Sequence, residues 1–182
     1  MQRIVFVTFL IMLCIIGCGV QTKSDEEVLR KEFSIPESAE LLMLKAFPEL
    51  EQSDHFGREG LKIDAVFKFT SEGFQTYRSQ AEKGGTWQQL PVPKDFLMKM
   101  GRIKFVSKQR KEYTEEQIYE HFLTQLPLDV KSGLYQCRSA GDNIMHNRKK
   151  IHTSLDHELN DFMFAILDFD KQSLKIKVRT CY

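Results

Sequence analysis

The clearest pattern in the chain lies at residues 61–70, where Leu61, Ile63, Ala65, Phe67 and Phe69 alternate with Lys62, Asp64, Val66, Lys68 and Thr70. Period-two alternation sends one set of side chains to a core and the other toward water, so this segment predicts a half-buried strand. Leu174, Ile176 and Val178 alternate with Lys175, Lys177 and Arg179 in the same way. Residues 162–169 are apolar on both faces, which predicts a central strand covered on both sides. Asp170-Lys171-Gln172 supplies the turn that makes these two strands a hairpin. Residues 102–107 and 133–138 predict shorter strands, and the apolar segment 39–46 is expected to end at Pro48.

Two segments carry helical spacing instead. Thr70 or Ser71 is placed to cap a helix in which Phe74, Tyr77, Arg78 and Ala81 share one face, stopped by Gly84-Gly85. Thr114 followed by Gln117 has capping-box spacing, and Glu115 and Glu116 suit the positive end of a helix. Ile118, Tyr119, Phe122, Leu123 and Leu126 form its apolar face, and Pro127 closes it. Six strands and two main helices in mixed order predict an α+β domain, with helices packed on a mostly antiparallel sheet.

The N-terminus has a different pattern. Met1-Gln2-Arg3 is a short cationic start, and residues 4–16 are apolar except for Thr8. A helix of about 13 residues rises about 20 Å, short of the roughly 30 Å hydrocarbon core. The run fits the apolar core of a secretory signal. It ends in Ile15-Ile16-Gly17-Cys18 before polar sequence, and in this it resembles the signal peptide and lipobox of bacterial lipoproteins. The resemblance covers residues 1–18 only. It implies that signal peptidase II cuts before Cys18, which then carries three acyl chains. It also implies a lipid-anchored protein of the bacterial cell envelope, with the bilayer as its first partner. Gly19, where aspartate would favour inner-membrane retention, implies the outer membrane in a cell that has two. The expected organisation is a signal at 1–17, a lipidated cysteine and polar tether at 18–33 whose tail, Val28 to Phe33, is compatible with a short helix, and one globular domain at 34–182.

Removing Arg3 with the signal leaves 25 Lys+Arg (26 less one) against 25 Asp+Glu. That balance and an envelope address argue against nucleic acid as a partner, and no phosphate-binding glycine loop appears. No cofactor is expected. Cys14 leaves with the signal, so Cys137 and Cys181 remain, and an oxidising compartment favours pairing them. The bridge would close about 45 residues, worth roughly 4 kcal/mol in the chain-entropy model.

Candidate chemistry in the body is sparse. If Ser154 caps a helix, His157 and Asp161 fall at i and i+4, and with His152 they form a candidate metal set. Trp87, in a Gly-Gly and Pro-rich loop, is the candidate partner-contact residue. Arg148-Lys149-Lys150 and Lys108, Arg110 and Lys111 form two small basic clusters suited to anionic headgroups or an acidic partner. No G-x-S-x-G elbow or other nucleophile assembly stands out. These features favour a non-enzymatic binding module of the envelope with a protein partner. A metal-dependent hydrolase and a small-molecule or lipid carrier are the alternatives.

Overall fold

The computed structural model describes residues 24–49, 60–100, 114, 116–117, 119–120, 126–140, 144–145, 147–155, 159 and 161–180. Ser24 caps the first helix, α1 (Asp25–Phe33), through a reciprocal capping box with Glu27. Asp25, Glu26 and Glu27 fill the first turn, where carboxylates complement the helix dipole. Val28, Leu29 and Phe33 are buried in the core. Residues 25–33 are therefore not spacer, and the globular fold starts well before Ser34.

Strand β1 (Glu40–Glu49) pairs antiparallel with β2 (Gly60–Lys68). Pro48 does not end the segment, because it sits within the strand opposite Leu61. No strand pairs with the outer side of β1 among the described residues, and an edge tolerates a residue without an N–H. Thr70 caps α2 (Ser71–Lys83), which buries Phe74, Tyr77 and Ala81 as the spacing predicts. Short β3 (Gln88–Gln89) and α3 (Lys94–Met100) follow. The helix expected near 114–126 is described only in part. Glu116, Gln117, Tyr119 and Glu120 are helical, and Thr114 and Gln117 form the expected capping box. The strand expected at 102–107 lies outside the described residues.

The remaining strands are β4 (Gly133–Ser139), β5 (Lys150–His152), β6 (Phe162–Asp168) and β7 (Ser173–Thr180). They complete a seven-stranded antiparallel sheet in the order β1-β2-β7-β6-β4-β3, with β5 also on β4. Gly133 begins β4 where a Cβ would collide with the backbone carbonyl oxygen of Leu167, so only glycine lets β4 meet β6 there. The fold is α+β, as the sequence pattern predicts.

The two faces of this sheet have different cover. On one face, α1 and α2 pack over Ile63, Ala65, Phe67, Met163, Ala165, Leu167, Leu174, Ile176 and Val178. On the other, α3 and residues 126, 155 and 159 cover Tyr135, Cys137, Phe162, Phe164 and Ile166, the β4–β6 half. Every residue of β6 is buried, as a strand between two layers must be.

Candidate functional site

The alternation of β2 and β7 decides what occupies the rest of the second face. Directly opposed residues of antiparallel strands share a face. The inward residues of β2 and β7 serve the first core, so their alternate residues project to the other side. Register then sets them in rows across β1, β2 and β7. Met43, Val66 and Lys175 form one row, and Lys45, Asp64 and Lys177 the next. Lys62 lies opposite Arg179 in the row beyond. Asp64 is the sole carboxylate these rows contribute among the described residues.

Ion pairs knit part of this surface. Lys177 Nζ lies 3.1 Å from Asp64 Oδ1. Lys175 Nζ donates to Asp129 Oδ1 at 2.8 Å and lies 3.9 Å from Asp168 Oδ2. Burial pulls the Lys177 ammonium below the usual lysine range. Asp64 opposes that pull, while Lys62 and Arg179 reinforce it through like charge. The hydrogen bond from Lys175 first, then the charges of Lys175 and Lys171, hold the Asp129 carboxyl below its ordinary value against partial burial. Among the described residues, Lys45 and Lys62 have no ion-pair partner. The face therefore keeps an excess of cationic charge after its internal pairing.

A groove of about 350 Å³ runs along this surface, lined by Met43, Lys45, Asp64, Val66, Leu126, Pro127, Lys175 and Lys177. Its volume lies within the range of small-ligand sites, roughly 300–1,000 Å³. A lining that mixes apolar side chains with three lysines suits an acidic group carried on an apolar stem. No protein-family model, curated protein or solved structure matches this chain.

The described residues singled out from the sequence lie elsewhere. Cys18 and His157 lie outside the described residues. Trp87 is half-buried and turned inward, with its ring centroid 6.4 Å from those of both Phe33 and Tyr77. It packs at the edge of an aromatic cluster. His152 is a core histidine on β5, its Nε2 sharing a 2.6 Å hydrogen bond with Ser139 Oγ on β4. Asp161 is buried at the start of β6. Among the described residues, no three His, Cys, Asp or Glu side chains converge on a common metal position. Lys149 is not a surface cation: its side chain is 6% exposed and its Nζ lies 2.9 Å from Glu32 of α1. Arg138 holds the same carboxylate at 3.2 Å. Lys108, Arg110 and Lys111 lie outside the described residues.

Cys137 is a free thiol at the centre of β4, fully buried, with its Sγ 3.6 Å from Met100 Sδ. Burial alone pushes its pKa far above the ordinary thiol value, which keeps the sulfur protonated and inert. Cys181, the expected partner of Cys137 in a bridge, lies outside the described residues. The lysine rows were visible in the sequence as the polar half of two alternating strands. What the sequence hid was the register that places those halves side by side.

Proposed function

We propose that this chain is a lipid-anchored protein of the bacterial envelope that binds an acidic partner through the β1–β2–β7 face. The anchor reading is carried by the cationic start, the short apolar run and the Gly17-Cys18 junction. No helix among the described residues is long and apolar enough to cross a membrane. The binding reading is carried by one observation: among the described residues, Lys45 and Lys62 have no ion-pair partner on a grooved sheet face where Asp129 and Asp64 hold Lys175 and Lys177. Unpaired cations beside a groove attract carboxylates or phosphates, and a tether raises the local concentration of both partners.

A photoreactive benzophenone residue at Met43, in the groove, tests this in intact cells. It should capture an acidic envelope protein reproducibly, and the Lys45→Glu/Lys62→Glu variant should lose that adduct while keeping its fold. Equal capture from Met43 and from Thr76 on α2, or recovery of the uncross-linked chain alone, would contradict it. The groove also favours a second reading, a carrier of small amphiphiles. Mass spectrometry of organic extracts of the purified protein separates the two, because only the carrier brings a defined small molecule with it.

A further inference from the structure

We propose that the groove face takes an extended segment of its acidic partner, laid over β1 and β2, with one apolar and two acidic side chains at alternate positions. The inference rests on the acidic-partner reading above and deepens it by naming what the partner must offer. Successive rows on one face of a sheet are two residues apart along each strand, about 6.8 Å. Over β1 and β2 those rows read apolar, cationic, cationic. Met43 and Val66 form the first, Lys45 stands beside Asp64 in the second, and Lys62 occupies the third. Asp64 is held from the β7 side by Lys177, 3.1 Å away. Lys45 and Lys62 keep no ion-pair partner among the described residues. They sit on a diagonal of adjacent strands, their backbones about 7–8 Å apart.

The form of the occupant follows from that spacing. An extended chain sends every second side chain to one face, with the same step of about 6.8 Å. A segment that reads apolar, any, acidic, any, acidic therefore meets all three rows in register. Its apolar side chain enters the groove beside Leu126 and Pro127, and its two carboxylates meet Lys45 and Lys62. Asp64 repels a carboxylate placed over β2 in the middle row. The segment consequently slants, from Lys45 on β1 to Lys62 on β2. A helix matches less well. Its residues i, i+4 and i+8 advance about 6 Å per step but turn about 40° each time, so the third side chain leaves the surface.

Synthetic peptides and the full chain in detergent test this at physiological ionic strength, with fluorescence anisotropy as the readout. A serine-based peptide carrying leucine, glutamate and glutamate at alternate positions should bind. Replacing its leucine by serine should weaken binding about tenfold. Moving its glutamates to adjacent positions, which turns one of them away, should weaken it about threefold. The Lys45→Glu/Lys62→Glu variant should reject this peptide and bind the counterpart with lysines in place of the glutamates, which also shows that the variant is folded. No binding of the alternating peptide at millimolar concentration, or equal binding of the rearranged ones, would overturn the proposal. So would a second copy of the chain or a small amphiphile found in the groove. Cross-linking from Met43 in cells is read in parallel. Capture of an acidic protein whose peptides ignore this order defeats the segment alone, whereas no capture and no peptide binding defeat the acidic-partner reading with it.

Discussion

Phe164 and Lys177 are neighbours across one register step of the same sheet, on the same face, yet they lie in opposite environments. Phe164 is fully buried under α3, in contact range of Tyr135 with ring centroids 6.1 Å apart. Lys177 is half-buried over β2 and held by Asp64. The β4–β6 half of the face is a core, while the β1–β2–β7 half is a charged surface with a groove in it. The difference teaches where a binding surface can be placed in a small domain. The β4–β6 half buries the apolar area that stabilises folding, which leaves the adjoining half free to carry charge that contributes little to stability.

Truncation gives the largest effects that test this contrast. Phe164→Ala should cost about 3–5 kcal/mol, because it opens a cavity between two packed layers. Lys177→Ala, one strand away, should cost under about 1 kcal/mol, since a partly solvated ion pair contributes little. Urea denaturation of both variants measures this directly. Similar losses would mean that the charged half is structural after all, and the functional reading of it would fail.

A smaller effect comes from the first core. Tyr77 donates to the Phe33 carbonyl oxygen at 2.6 Å and so ties α2 to the end of α1. Tyr77→Phe should cost about 1 kcal/mol, the net worth of a hydrogen bond. Burial raises the pKa of this phenol and of the Cys137 thiol above 10.0 and 9.0 respectively. A raised folded-state pKa means the unfolded chain gives up the proton first, so their stabilisation is whole at neutral pH and drains away above those values. Tyr77→Phe should therefore flatten the loss of stability measured above pH 10. An unchanged alkaline limb would place the titrating group elsewhere.

The smallest effect belongs to the rim of the charged half. The Asp129 side chain is 62% exposed, and Asp129→Asn should change stability by less than about 1 kcal/mol. Its carboxyl is held below its usual range, so what it contributes is present at neutral pH and lost only as the solution becomes strongly acidic. A larger penalty, measured by thermal melts at neutral pH, would show that the Lys175 cluster does more than line a groove.

How much of this was readable from residue order depends on range. Alternation in β2 and β7, the unbroken apolar run of β6, the β6–β7 hairpin and the Thr70 cap are local patterns, and each appears where the pattern puts it. Only the second half of helix α1, Val28 to Phe33, was legible; its start escaped because charges fill the first turn. Taken alone, that is indistinguishable from a polar spacer. Strand β1 continued through Pro48 because edge position, a tertiary property, makes the missing N–H harmless. Trp87, His152, Lys149 and Cys137 share a lesson: chemically suggestive side chains were turned into the interior, each with a partner far away in sequence. The rows of Lys45, Asp64 and Lys177 depend on the pairing of three strands, and no one-dimensional pattern encodes that pairing.

The claim that the rest of the account needs is the anchor, and intact mass of the protein extracted from membranes tests it most directly. The account predicts a chain lacking residues 1–17, heavier at Cys18 by a diacylglyceryl group and an amide-linked acyl chain, with Cys137 alkylated only after unfolding. A chain that retains residues 1–17, or carries no lipid mass at Cys18, would contradict it.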